Sequence, residues 1–284
     1  TEGPGPTISP TPPPTEPPVT PAPTSSPEPN AVVSIISPRS DDSDPGNPVG
    51  GVTENAVNEF DNRTVYLFSN DDDVETIPGD QIDVQALSGN DQITGQNSGE
   101  QIIGNRGADS LLGEGGPDIL WGGRGSDSLD GGEGSDSLSG NNNNDTLAGG
   151  DGDDVIFGGK EDDVLFGRDG NDTLSGDRGQ DILTGNDGAD VFVISGALAA
   201  ATNEEDADVI VDFNPDVDKL MLPANVVASN LTLTPVDLEL DDLATASSTL
   251  IEFNESFLAI VRDVQPDDLI ESVFIPDNLS VIVF

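Results

Sequence analysis

Twelve acidic residues stand nine apart without a slip: Asp91, Glu100, Asp109, Asp118, Asp127, Asp136, Asp145, Asp154, Asp163, Asp172, Asp181 and Asp190. Two residues after each comes an aliphatic residue or Phe, from Ile93 and Ile102 through Leu111, Leu120, Leu129, Leu138, Leu147, Ile156, Leu165, Leu174 and Leu183 to Phe192. Glycines take the positions two, four and five before the acid, most fully at Gly122, Gly123 and Gly125, at Gly131, Gly132 and Gly134, and at Gly149, Gly150 and Gly152. The unit reads G-G-x-G-x-D-x-U-x, with U apolar. Regular carboxylates set among glycine turns lend themselves to one chemistry above others, the gathering of a hard cation into an all-oxygen site completed by backbone carbonyls.

The spacing dictates what must position those carboxylates. Glycine-rich hexapeptides supply turns with positive φ, and the x-U-x that follows is long enough only for a short strand. Two turns and two strands close one coil, so residues 18 apart stack at a spacing of about 4.8 Å and every U side chain points into a narrow aliphatic core. The acids then fall into two columns, Asp91 to Asp181 and Glu100 to Asp190. At about 5 Å and an effective dielectric near 20, neighbouring carboxylates repel by roughly 3 kcal/mol, which so thin a core does not overcome. A cation between them is required, and calcium suits about six oxygen ligands better than magnesium, which gives up its waters reluctantly.

Composition removes most other functions. With 9 Lys and Arg against 55 Asp and Glu, the net charge is -46 over 284 residues, which turns away nucleic acid and anionic membrane surfaces. The chain has no Cys and no His, so a catalytic Ser-His-Asp triad, a zinc site of the HExxH kind and a thiolate nucleophile are all impossible. A carboxylate-only glycosidase would need an aromatic-lined cleft, and 1 Trp, 1 Tyr and 10 Phe offer little to build one. The chain is expected not to be an enzyme. No run approaches the roughly 18 to 20 apolar residues of a membrane-spanning helix, so no membrane insertion is expected. The first residue is Thr1, which suggests a processed or truncated product.

Repeats such as GGRGSDSLD at 122–130 and GGEGSDSLS at 131–139 resemble the RTX, or hemolysin-type calcium-binding, repeats. The resemblance implies an all-β fold, a right-handed parallel β-roll with calcium between successive coils. Such a roll stays unfolded at low cytosolic calcium and folds after export, which implies a secreted or cell-surface protein of a bacterium. The expected metal-holding residues are Asp91, Asp109, Asp118, Asp127, Asp136, Asp145, Asp154, Asp163, Asp172, Asp181 and Asp190, with Gly123, Gly125, Gly132, Gly134, Gly150 and Gly152 in the turns; paired acids suggest about eight to ten calcium ions. Glu161, Asn141, Asn143 and Ser98 depart from the turn pattern, and the longer Glu100 is expected only to cap its column.

Around the roll, residues 1–30 are a Pro- and Thr-rich linker or tether, 31–85 a β-rich N-terminal cap, 86–193 the roll, and 194–284 a β-rich capping, secretion or docking domain. ADVFVIS at 189–195 and DVIVDFNPDVDKLMLP at 208–223 resemble the segment that closes RTX domains of serralysin-like proteases, without their protease domain. Asp206, Asp208 and Asp212 there are candidates for one more calcium, and a hairpin about Asn254 and Glu255 joins TLIEF to SFLAIV. Outward-facing Ile103, Ile119, Trp121 and Phe157 form an apolar stripe, a candidate assembly surface, while Ser110, Ser128, Asp130 and Thr146 make the opposite face more polar. The leading functional reading is a calcium-loaded extracellular structural, adhesive or matrix component, whose partner is its own copies or a cell surface. Its alternative is the export and folding module of a larger secreted enzyme or toxin.

Overall fold

A computed structural model describes residues 54–57, 64–77, 82–194, 207–223, 226–238, 246–254 and 256–276, all within one compact unit, Val33–Phe284. The Pro-rich tether, Asp206 and Glu255 lie outside the described residues.

The twelvefold run of turn and strand folds as its period requires. Eight strands of the central block follow one another at nine-residue intervals: β8 (Ile119–Arg124), β9 (Ser128–Glu133), β10 (Ser137–Asn142), β11 (Thr146–Asp151), β12 (Val155–Lys160), β13 (Val164–Asp169), β14 (Thr173–Arg178) and β15 (Ile182–Asp187). Even-numbered strands stack in one parallel sheet and odd-numbered strands in another, so each coil contributes one strand to each. Partners are 18 residues apart, as in Leu138 with Leu120 and with Ile156, or Leu147 with Leu129 and with Leu165. The roll is all-β and parallel, as the spacing predicts.

Strands in this block are six residues long rather than the three of x-U-x. The reason lies in the glycine five before each acid: Gly122 and Gly131 keep ordinary backbone angles and face inward, so pairing runs on through them to Gly123 with Asn141 and Gly132 with Gly150. The chain turns only beyond that point, at the two positions of positive φ.

Between the sheets, the apolar column residues fill the core. Ile102, Leu120, Leu138, Ile156, Leu174 and Phe192 belong to one sheet and Ile93, Leu111, Leu129, Leu147, Leu165 and Leu183 to the other, and none is more than 1% exposed. Each coil buries two such side chains, a thin core in which every layer touches only the layers above and below.

Coils continue at both ends of the nonapeptide block. On the N-terminal side, β2 (Thr64–Leu67) and β4 (Ile82–Gln85) pair in parallel and lead into β6 (Gln101–Arg106), while β3 (Val74–Thr76) pairs with β5 (Gln92–Thr94), which leads into β7 (Ser110–Leu112). Only β1 (Glu54–Val57) breaks the parallel order, pairing antiparallel with β2. On the C-terminal side, β17 (Asp208–Ile210) extends one sheet from β15, and β18 (Lys219–Leu222) extends the other from β16 (Val191–Val193). Phe213 closes the core, its ring 5.9 Å from that of Phe192 and edge-on to it. Beyond it, β19 (Thr232–Leu238), β20 (Ala246–Phe253) and β21 (Ser256–Val261) form antiparallel hairpins, with β21 also parallel to β17, and β22 (Phe274–Pro276) adds to β18. Asn254, at φ 51°, turns the β20–β21 hairpin, as expected.

Candidate metal centre

Every ladder acid sits at the exit of a turn, held by the strand that follows. Its side chain folds back under the turn, where it is between 0% and 3% exposed. The backbone N–H of each acid donates to Oδ1 of the acid one coil later: Asp109 to Asp127 at 2.8 Å, Asp118 to Asp136 at 2.7 Å, Asp145 to Asp163 at 2.7 Å, Asp154 to Asp172 at 2.8 Å. One oxygen of each carboxylate thereby locks the axial spacing.

The other oxygen is left over. In ten ladder aspartates, Asp91, Asp109, Asp118, Asp127, Asp136, Asp145, Asp154, Asp163, Asp172 and Asp181, Oδ2 is buried and has no hydrogen-bond partner. A buried orphan acceptor costs about 1–3 kcal/mol, more when charged, and a run of ten at equivalent places points to an ion or water that completes them.

Nine of these oxygens lie over the glycine five residues before the acid; five before Asp91 stands Ala86. A Cβ on Gly104, Gly113, Gly131 or Gly140 would collide with Oδ2 of Asp109, Asp118, Asp136 or Asp145, and would also lie 2.7 Å from the Gly122 carbonyl oxygen in the first case and 2.5 Å from the Gly149 carbonyl in the third. A carboxylate oxygen and a carbonyl oxygen from the next coil therefore converge where no side chain stands. Every donor is oxygen, and among the described residues no three acidic side chains come together. The cradle suits a hard cation held by carboxylates of successive coils together with turn carbonyls, as calcium is, and supplies nothing for zinc or copper.

Electrostatics agree with the geometry. Burial, partly offset by the bond from the preceding coil's N–H, pushes Asp127, Asp145, Asp154, Asp163 and Asp172 up to about 7; neighbouring ladder acids raise them further. The same causes push Asp91 and Asp190 up to about 6, and Asp136, where Asp130 adds the like charge, to about 6. Asp181 and Asp208 face each other in the last gap and both are raised, chiefly by burial. A bare ladder thus favours protonated acids near neutrality, whereas a divalent ion would favour the charged form.

The turns carry the strained backbone. Positions four before the acid have positive φ throughout, from Asn105 at 72° and Glu114 at 73° through Gly123 at 117°, Gly132 at 103° and Gly150 at 121° to Arg168 at 82° and Asn186 at 67°. Positions two before the acid do too, including Gly125, Gly134 and Gly152, and as at Gly123, Gly132 and Gly150 a Cβ there also collides with the carbonyl oxygen of the previous coil. Asn143 and Glu161 nevertheless occupy two such positions, and their side chains compensate: Asn143 Oδ1 accepts from Gly125 N–H at 3.3 Å and Glu161 Oε2 from Asn143 N–H at 2.8 Å.

Three further ladder members lie outside the run of twelve. Asp73 precedes Asp91 by one coil, its N–H donating to Asp91 Oδ1 at 2.7 Å. Asp208 takes the N–H of Asp181 at 3.2 Å and Asp218 that of Asp190 at 3.0 Å, although they stand 27 and 28 residues away in sequence. The signal for these two was present: Asp208 stands two before buried Ile210, and Asp218 two before buried Leu220, the D-x-U of the repeat itself. Asp73 has no such mark. Asp212 caps instead, accepting from the N–H groups of Gly185 and Asn186 at 2.9 and 2.7 Å. Glu100 turns back on its own turn, taking the Ser98 hydroxyl and the Gln96 N–H.

On the outer face of the even-numbered sheet, Ile103 and Trp121 are direct partners and Ile119 lies beside Trp121 on β8, all half-buried; Ser139 separates Phe157 from Trp121. The opposite face is less polar than its serines suggest, because half-buried Leu112, Val164, Phe166 and Ile182 also lie on it. There Arg168 reaches back over Ala148 to Asp130, with nitrogen–oxygen distances of 3.1 and 3.0 Å.

The family comparison agrees with this geometry. The family model of the RTX calcium-binding nonapeptide repeat (four copies) matches residues 83–111, 103–138, 130–165, 139–174 and 166–193. No curated protein matches the chain. Among solved structures, the extracellular lipase LipA from Serratia marcescens is similar over 67% of this chain and 40% of its own, at 20% identity and a TM-score of 0.24. This chain thus spans well under two thirds of that protein's length. A ladder of buried carboxylates on a nonapeptide period, closed by parallel coils and matched from 83 to 193, identifies the centre of this chain as an array of RTX calcium-binding repeats.

Proposed function

We propose that this is a secreted bacterial calcium-binding protein whose roll folds when it meets calcium outside the cell and then serves as a rigid structural or adhesive element. In this reading the Pro-rich residues 1–30 are a tether and residues 194–284 a capping or docking module. The observation that carries it is the run of ten buried, unpartnered Oδ2 atoms, nine of them over a glycine that admits no side chain. Calcium would be held by the ladder aspartates and turn carbonyls of successive coils, where it would neutralise charge that the two-residue core layers do not offset. The switch is then the fold itself: without the ion, repulsion unfolds the roll, and with it the coils zip together.

The test is far-UV circular dichroism with light scattering during a calcium titration of the intact chain, repeated with magnesium. A cooperative gain of β structure specific to calcium, with rising scattering, is the expected result. A spectrum indifferent to calcium would remove the metal assignment. A calcium-driven transition with flat scattering would remove the assembly role and leave a folding module.

A further inference from the structure

The roll has two long edges, and their charges differ. Turns that follow the even-numbered strands place one residue, three before the ladder acid, in a single stacked column: Arg106, Arg124, Asn142, Lys160 and Arg178. Arg106 pairs with Arg124, Arg124 with Asn142, and Lys160 with Arg178, and the Lys160 ammonium donates to Asn142 at 2.8 Å. Four of the chain's 9 cationic residues thus stand in one line. All four are exposed, and no ion pair joins them to a described residue. The turn residues 105–108, 123–126 and 141–144 on this edge contain no acid, whereas Glu161 and Asp162 follow Lys160 and Asp177 precedes Arg178 in the two turns beyond. On the opposite edge the equivalent column is Glu133, Asp151, Asp169 and Asp187.

Beside the upper part of the cationic column lies a groove of about 270 Å³, lined by Ile103, Trp121, Gly123 and Arg124 together with the amides of Asn105, Asn141 and Asn142. Neither feature is needed by the roll. Trp121 is half-buried on the outer face, between Ile103 and Ser139 in the same column.

We propose that the groove and the column together bind a linear acidic polysaccharide of the uronate type. A pyranose ring presents apolar C–H groups that stack on an indole face, its hydroxyls pair with Asn amides, and its carboxylate pairs with arginine. The groove is smaller than the roughly 300–1,000 Å³ of ordinary ligand pockets, which suits one unit of a chain held at many points along the edge. Arg106 and Arg124, about 4.8 Å apart on successive coils beside the groove, with Lys160 and Arg178 beyond the neutral Asn142, offer counter-charges along the edge. The net charge of -46 opposes a polyanion only at long range, because at physiological salt charges beyond about 8 Å are screened and the local strip decides. An edge-to-edge contact with a second copy would use the two columns but leaves the Trp121 groove without a role. The strip exists only in the folded roll, so this inference rests on the calcium-driven folding proposed above.

The experiment titrates the calcium-loaded full chain with a galacturonate hexasaccharide, short enough not to gel with calcium, and with maltohexaose as the neutral control. The single Trp makes intrinsic fluorescence a readout of the groove, alongside calorimetry. The expected result is saturable binding of the acidic sugar alone, weakened at least tenfold by Trp121→Ala and by the pair Arg106→Glu and Arg124→Glu, weakened by added salt, and unchanged by Glu133→Lys on the other edge. Circular dichroism of each variant in calcium separates loss of binding from loss of fold. Equal binding of maltohexaose, full binding by the folded charge-reversed variant, or no binding by a folded wild-type chain would overturn the proposal. So would sedimentation showing that those substitutions break a self-associated form while no sugar binds.

Discussion

Replacing Asp145 by Asn should stabilise the calcium-free roll and weaken the calcium-loaded one. Asp145 is 2% exposed, its Oδ1 accepts the N–H of Asp127 at 2.8 Å, and its own N–H donates to Asp163 at 2.7 Å. Asn keeps the shape and the Oδ1 acceptor, and it sets an NH₂ where the orphan Oδ2 stands, beside the Gly158 carbonyl oxygen that lies 2.7 Å from the Cβ position on Gly140. Burial, and then the charges of Asp163 and Glu161, push Asp145 from 3.8 up to about 7. Removing that ionisation cost should therefore stabilise the metal-free fold near neutral pH by about 2–4 kcal/mol. In calcium the same change removes one carboxylate from the gaps on either side, and a ten- to hundredfold loss of affinity there is about 1.4–2.8 kcal/mol. The assay pairs folding induced by trimethylamine oxide in chelator, where the midpoint should fall, with a calcium titration by circular dichroism, where it should rise. Destabilisation in both conditions would show that Asp145 matters only as a hydrogen-bond acceptor, and the argument from like charge would fail.

Other perturbations probe other parts of the same account. Asp127, Asp145, Asp154, Asp163 and Asp172 hold their protons up to about 7 in the fold, against 3.8 when free, so their contribution is fully present below about pH 4 and lost as the pH rises through 7. The calcium-free chain should accordingly gain β structure when acidified from about pH 8 to 4, the reverse of ordinary acid denaturation, and a circular dichroism titration showing no gain would contradict the raised values. Gly131→Ala puts a methyl against Asp136 Oδ2 and 2.5 Å from the Gly149 carbonyl, and should destabilise the loaded roll by about 1–3 kcal/mol while raising its calcium midpoint. Glu114→Gly relieves a φ of 73° at an exposed turn and should stabilise by about 1 kcal/mol in chemical denaturation. Leu147→Ala, in a fully buried layer, should cost about 2–5 kcal/mol and split unfolding into two parts by hydrogen exchange, since each coil touches only its neighbours.

Legibility in the sequence followed the strength of local constraint. The columns, the 18-residue stacking and the buried U residues were readable because a period of nine leaves one way to pair Leu120 with Leu138 and bury both. The six-residue strands were not, because glycines read as turn formers, whereas Gly122 and Gly131 serve chiefly as places with no side chain under a carboxylate. The apolar part of the odd-numbered sheet's face was underweighted because Leu112 and Phe166 stand on either side of Asp130 and Ala148 along the column, which no single repeat displays. The cationic edge was invisible for the same reason: Arg106, Arg124, Lys160 and Arg178 are remote in sequence, and only the coil brings them into line.

The C-terminal continuation shows what the roll requires of its sequence. Between Asp181 and Asp208 the count lengthens from 18 to 27, and between Asp190 and Asp218 to 28, yet both columns gain a further carboxylate and both sheets a further strand. What persists is therefore the unit of acid, spacer and buried apolar residue, since it alone fixes an Oδ1 under the previous coil's N–H and a side chain in the next core layer. In sequence, nine extra residues fall between β16 and β17, and one more between β17 and β18. Shortening the β16–β17 connection should accordingly leave the calcium midpoint nearly unchanged, whereas Asp208→Ala should raise it, because the alanine leaves the Asp181 N–H and the last gap without their acceptor. A connection deletion as damaging as Asp208→Ala in a calcium titration would mean that the nine-residue count, and not the ladder contact, carries the fold.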